Sequence, residues 1–287
     1  MHVYWLEQSD GDVPVGDVWL SETERARLDG LHIPKRHADW RLGRWTAKCA
    51  VSGYLNLPGD PEALAALELR PEASGAPQVF LHGEPARVVL SLSHSGGTGF
   101  CAIGPQGAEV GCDLERVEPR CPAFLADYFT DEERRLVART PAVGRDQMLT
   151  LLWSAKESAL KALRCGLRLD TRSVNAVPVG FLPASGAEWH RVSVAHTGGR
   201  CFYGWWRQSQ DFVYTIVADP SPVRLLAVTF ASPSPVSGRR AAKAAGLKLS
   251  RMQTGFLIQG EDRPGAVTDT AATLAEANID ITSVQVF

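Results

Sequence analysis

Long apolar runs are missing from this 287-residue chain: none approaches the ~20 residues that a membrane-spanning helix requires. The N-terminus, MHVYWLEQSDGD, has neither a basic start nor an apolar core. It does not read as a signal peptide, and the cytoplasm is the expected compartment. An excess of one charge is missing too. Thirty Lys and Arg stand against 32 Asp and Glu, a formal net charge of -2, which leaves no global basic field to bind nucleic acid through counterion release. The six cysteines form no CxxC pair, and the seven histidines lack ligand spacing. Neither a disulfide framework nor a zinc site is therefore expected, and the thiols read as free and mostly buried. A GxSxG elbow and a GxxxxGK[ST] loop are both absent, which disfavours a serine hydrolase and a P-loop phosphotransferase. No period of 20–50 residues repeats.

What is present is ordinary globular composition, 45% hydrophobic and 22% charged, in a length that suggests about two domains. Residues 1–20 alternate as short strands around a turn at Asp10-Gly11-Asp12. Ser21 with Glu24, and Thr130 with Glu133, have capping-box spacing, so helices are predicted to start there. One helix is predicted over about 35–55 and another over about 146–164, with Gly166 at its C′ position. Strands are predicted at 77–81, 87–93, 99–103 and 108–114, with two or three more within 190–229. After about residue 219 the composition becomes rich in Pro and Ser, as in a linker. Residues 252–259 then read as a strand, followed by an amphipathic helix and a second strand.

Three segments carry candidate chemistry. In GCDLE (Gly111–Glu115), Asp113 and Glu115 fall two apart and share one face of a strand. In WSAKESALK (Trp153–Lys161), Glu157 and Lys161 stack one helical turn apart. Two strand carboxylates and one helix carboxylate make an oxygen-only donor set that suits Mg²⁺ alongside a phosphate substrate. Read singly, the same residues are solvated strand-end charges and a common i,i+4 ion pair. In SLSHSGG (Ser91–Gly97), hydroxyls, an imidazole and glycine amides could cradle a phosphate, or form a polar hairpin turn. Residues 21–50 hold seven Lys and Arg against four Asp and Glu. Arg36, Arg44 and Lys48 lie near one stripe of their helix, a patch sized for a small phosphorylated ligand or simply a solvated face.

Taken in order, SLSHSG, GCDLE and WSAKESALK resemble the motifs of the Sfp-type 4′-phosphopantetheinyl transferases, over roughly residues 1–220. The resemblance implies an α/β (α+β) fold of two similar α/β lobes in pseudo-dimeric arrangement, divided as residues 1–105 and 106–220. It implies Mg²⁺ held by Asp113, Glu115 and Glu157, and coenzyme A as co-substrate. His94, with Ser93 in the same pocket, would meet the coenzyme A phosphates, and Lys161 the pyrophosphate. Arg36, Arg44 and Lys48 would hold the 3′-phosphate. Glu157 is the candidate base for the serine of an apo acyl or peptidyl carrier protein, such as those of polyketide and nonribosomal peptide synthases; 3′,5′-ADP would leave. One departure stands out: where the family often has Gly-Lys-Pro or Gly-Arg-Pro, this chain has Gly75-Ala76-Pro77. A cationic contact is then absent or supplied from elsewhere.

After a linker at 221–250, residues 251–287 resemble the first half of an ACT domain, a partial ferredoxin-like β-α-β segment. Such a piece has little core of its own, so either a monomer or a dimer through this segment is expected. Part of the carrier surface is expected at 118–130, where Phe124, Leu125, Tyr128 and Phe129 could equally be core. The alternative function is a non-catalytic coenzyme A-binding or ACT-linked regulatory protein. Neither nucleic acid nor membrane is an expected partner.

Overall fold

The computed structural model describes residues 1–179, 186–228, 248–252 and 255–259. The first half runs β1 (His2–Ser9), α1 (Glu22–Asp29), α2 (Pro34–Tyr54), α3 (Pro61–Ala66), β2 (Leu67–Pro71), β3 (Pro77–Leu81), β4 (Glu84–Pro85), β5 (Val88–Ser95) and β6 (Thr98–Pro105). The second runs β7 (Glu109–Arg116), α4 (Pro122–Tyr128), α5 (Asp131–Arg139), α6 (Ala142–Ala162), β8 (Val174–Pro178), β9 (Gly186–His196), β10 (Cys201–Ser209) and β11 (Phe212–Asp219). Then come β12 (Arg224–Ala227), β13 (Lys248–Met252) and β14 (Gly255–Gln259). The fold is mixed α/β.

Two main sheets result, ordered β12-β1-β6-β5 and β7-β11-β10-β9-β8. Strand alternation explains how each is buried on both faces. On β6, Cys101 and Ile103 face the core under α2, while Phe100 and Ala102 face the other sheet. On β11, Val213 and Val217 face α6, while Tyr214, Ile216 and Ala218 enter the inter-sheet core. The sheets also meet along their edges. The Cys112 amide on β7 donates to Ser91 Oγ on β5 at 3.0 Å. This covers edges that would otherwise expose unpaired backbone groups.

Both long helices are anchored by the same device. Ser21 caps α1 in a capping box with Glu24, and Lys48 of α2 reaches Glu24 Oε2 at 2.6 Å. Thr130 caps α5 in a capping box with Glu133, and Lys156 of α6 reaches Glu133 Oε2 at 2.5 Å. The second carboxylate oxygen of each Glu accepts from a strand amide, Leu69 in one half and Ala176 in the other. All four side chains are buried.

Several expectations change. Val18 and Leu20 lie outside any strand; after β1 the chain makes a 3-10 turn at Asp10–Asp12 and then α1. The helix predicted over about 35–55 is α2, which Pro34 opens, because at the first turn its missing N–H costs nothing. His94 and Ser95 belong to β5, and the turn is confined to Gly96 and Gly97, both at positive φ. Part of the expected linker is β12, which pairs parallel with β1. Residues 252–259 are not one strand: 248–252 and 255–259 pair antiparallel. The predicted helix and last strand of the ACT-like segment lie outside the described residues. Cys49, Cys101 and Cys112 are buried, Cys165 and Cys201 half-buried and Cys121 exposed, and all six are free. Among the described residues no helix is long and apolar enough to cross a membrane.

Candidate active site

The carboxylates converge because α6 lies unusually close to β7. A Cβ on Gly111 would fall 1.8 Å from the Ser158 carbonyl oxygen, so only glycine admits the helix there. The seam is completed by hydroxyls. Thr215 Oγ1 on β11 lies 2.9 Å from Ser154 Oγ and 2.7 Å from Ser158 Oγ. Thr215 is also the cross-strand partner of Asp113, and Ser154 and Ser158 flank Glu157 along the helix. The close approach therefore sets α6 in rotation and height against β7.

Asp113 is 2% exposed. Its Oδ1 accepts from Ser93 Oγ at 2.8 Å and from Lys161 Nζ at 2.7 Å. Lys161 also donates to the Cys112 carbonyl at 3.1 Å and lies 3.9 Å from Glu157. Glu115 accepts from Trp153 Nε1 and from Arg120, each at 3.2 Å. Burial and the nearby Asp113 charge push the Glu157 carboxyl up to about 7, and the same two causes raise Glu115. Burial alone would lower Lys161, but Asp113 and its neighbours hold it above the usual ammonium range.

The donor set can be tested against a cation. Among the described residues no group of three His, Cys, Asp or Glu side chains is arranged as a ready metal cage. Yet Asp113 Oδ2 is buried with no hydrogen-bond partner, and the Asp113 charge raises the pKa of both Glu115 and Glu157. Such an orphaned oxygen among mutually repelling carboxylates fits a hard cation that keeps several waters and takes few protein ligands.

A cavity of about 430 Å³ opens beside this cluster, between the halves. Trp40, Gly43 and Arg44 of α2, the 74–77 turn, His94 and Lys161 line it, together with Arg164 just beyond α6. Arg44 stacks on Trp40 at 4.8 Å and lies 3.6 Å from Glu24, and burial draws its pKa below the usual guanidinium range.

The structure thus brings Asp113, Glu115, Glu157 and Lys161 into one neighbourhood, with His94 and Arg44 on the adjoining cavity. Ser93 takes a different place from the expected one: it does not line the cavity but holds Asp113. Arg36 is exposed near the start of α2, outside the cavity lining. Lys48 is a correction. It is fully buried, and besides Glu24 it donates to the carbonyls of Trp19 and Leu64, so no proton remains for a ligand. In the 118–130 segment, Phe124, Leu125 and Phe129 pack into the second-half core, while Tyr128 is 41% exposed. Nothing in the sequence distinguishes Arg164 from any arginine near a helix end.

A cavity with Arg44, His94, Lys161 and Arg164 in its lining thus lies beside the carboxylate cluster, on a mixed α/β frame. Residues 109–217 match the family model of the 4′-phosphopantetheinyl transferase superfamily. No curated protein matches the chain. Among solved structures, a holo-(acyl-carrier-protein) synthase from Bacillus anthracis str. Ames, in complex with CoA (3′,5′-ADP), is similar at 22% identity and a TM-score of 0.31. That match covers 35% of this chain and 91% of that one. A holo-[acyl-carrier-protein] synthase from Thermotoga maritima is similar at 15% identity and a TM-score of 0.27, covering 57% and 90%.

Proposed function

We propose that this protein transfers 4′-phosphopantetheine from coenzyme A to a serine of an apo acyl or peptidyl carrier protein, in the manner of the Sfp-type enzymes. The observation that carries the reading is the junction of two features. Asp113, Glu115 and Glu157 lie in one electrostatically coupled group, in which Asp113 Oδ2 is buried without a hydrogen-bond partner. Beside them lies a cleft lined by Arg44, His94, Lys161 and Arg164.

In this reading coenzyme A lies in the cleft. The carrier serine oxygen attacks its β-phosphorus, and the bond to the bridging oxygen breaks so that 3′,5′-ADP leaves. Glu157 takes the serine proton, a task suited to a carboxylate with a pKa near neutrality. Lys161, charged and fixed by Asp113, faces the diphosphate and offsets its charge. His94 and Arg44 bind phosphate oxygens from the other wall. Asp113, Glu115 and Glu157 would hold Mg²⁺, which would supply charge neutralisation at the diphosphate. Phosphoryl transfer depends chiefly on positioning and charge, and this site is built for both.

A mass-shift assay with coenzyme A, Mg²⁺ and a panel of apo-carriers from fatty-acid, polyketide and peptide synthases tests the reading. Gain of one phosphopantetheine on a carrier is expected. Binding of coenzyme A with no transfer to any carrier would favour the non-catalytic alternative.

A further inference from the structure

Helix α6 ends in a Schellman arrangement. The Cys165 amide donates to the Leu160 carbonyl at 3.1 Å, and the Arg164 amide to the Lys161 carbonyl at 2.9 Å. The residue at the left-handed position is Arg164, at φ 57°. Glycine is the usual occupant because it has no Cβ to clash. Gly166, expected to fill this role, lies two residues further on, also at positive φ. An arginine held in a disfavoured backbone conformation at the mouth of a cleft points to a use for its side chain.

That side chain lines the inter-lobe cavity with Arg44, His94 and Lys161, facing the Ser74–Pro77 turn. Its Nη1 lies 2.5 Å from Glu72 Oε1, which precedes the turn. The lobes are already tied at this point by another residue: Arg168 Nη2 donates to the Ser74 carbonyl at 2.6 Å. Arg164 is 42% exposed at its side chain, so its bond to Glu72 can be exchanged without exposing a buried charge.

We propose that Arg164 is a ligand-binding residue of the cleft, exchanging Glu72 for a phosphate of the nucleotide half of the ligand. It thereby supplies the cation that the neutral Gly75-Ala76-Pro77 turn does not. The inference rests on the coenzyme A reading of the cavity. Glu72 acts as a competitor that holds the guanidinium in place until an anion displaces it, a role that a mere clasp between lobes would not give it.

The two roles are separated by calorimetric titration of 3′,5′-ADP into the wild-type protein, Arg164→Gly and Glu72→Gln. Glycine suits the backbone at 164, so the first variant should fold, which circular dichroism checks. Its Kd for 3′,5′-ADP should rise about tenfold or more, the scale of losing a charge-assisted hydrogen bond. Glu72→Gln should bind as tightly as wild type or tighter. Unchanged affinity in Arg164→Gly, or equal weakening in both variants, overturns the inference and leaves the coenzyme A reading standing. Failure of the wild-type protein itself to bind 3′,5′-ADP overturns the coenzyme A reading, and this inference with it.

Discussion

Lys156 Nζ lies 2.5 Å from Glu133 Oε2, deep beneath the helix that carries Glu157 and Lys161. The neighbouring residues of one motif thus point opposite ways: Lys156 into the core and Glu157 toward the carboxylate cluster. Lys48 and Glu24 repeat the pairing in the first half, beneath the helix that carries Arg44. In each half a capping-box glutamate ties a helix, a second helix and a strand together. The same pairing of cap, helix and strand thus occurs once in each half.

From this follows a prediction about stability rather than catalysis. Lys48→Met and Lys156→Met each remove a buried glutamate's ammonium partner; the loss should be about 3–5 kcal/mol for Lys156→Met and smaller for Lys48→Met, because Arg44 still lies 3.6 Å from Glu24. Chemical denaturation should show that loss in both. Pairing Lys48→Met with Glu24→Gln should recover part of it, because the stranded charge is gone. If Lys48→Met kept full stability but lost coenzyme A affinity, the buried placement would be wrong and the ligand role restored.

Local signals were legible and tertiary ones were not. Thr130 and Glu133 marked the start of α5, which runs from Asp131 as their spacing predicts. Two-residue spacing placed Asp113 and Glu115 on one strand face, and both GCDLE and WSAKESALK fall within the matched residues 109–217. The inward turn of Lys48 depended on Glu24 lying beneath it, which helical phase alone does not reveal. Ser93 was legible as polar, but its partner lies 20 residues away on another sheet. Arg164 was hidden because Gly166 offered the expected helix stop, and glycine preference outweighed the arginine that occupies the position.

Gly111→Ala tests how tightly the site depends on the α6–β7 approach. A single methyl would meet backbone at Ser158, which has no side-chain freedom to yield. The helix must move, carrying Glu157 and Lys161 away from Asp113. We expect a large fall in kcat, about 10²-fold as for displacements near 1 Å, together with a stability loss of about 1–3 kcal/mol from overpacking. Wild-type kcat in this variant would show that the geometry of the seam is not needed.

Ser93 and Asp113 differ in what they should cost. Asp113→Ala removes the buried carboxylate that holds Lys161, and kcat should fall about 10²-fold or more. Ser93→Ala removes one neutral donor to that carboxylate, worth about 1 kcal/mol, so kcat should fall only several-fold. Because Ser93 does not line the cavity, the KM for coenzyme A should stay near the wild-type value. A raised KM with unchanged kcat would instead put Ser93 in contact with the ligand.

Glu157 should reveal itself in the pH dependence of stability. Its carboxyl is raised in the folded protein to about 7, by burial first and by the Asp113 charge second. A carboxyl whose folded pKa lies above its unfolded one stabilises the protein while protonated. That contribution is complete below the ordinary carboxyl range, near pH 4.5, and is lost as the pH rises toward 7. In chelator-containing buffer the wild-type protein should lose about 3 kcal/mol across this window through Glu157 alone. Glu157→Gln cannot ionise, so its stability should fall less over the same window, and at pH 8 it should exceed the wild type. Its transfer activity should nevertheless drop about 10²-fold or more. Added Mg²⁺ at pH 8 should raise the Tm of the wild type and narrow the gap, since a bound cation relieves the same repulsion. Parallel pH–stability curves for the two proteins would show that Glu157 ionises freely, and that neither burial nor Asp113 tunes it for proton transfer.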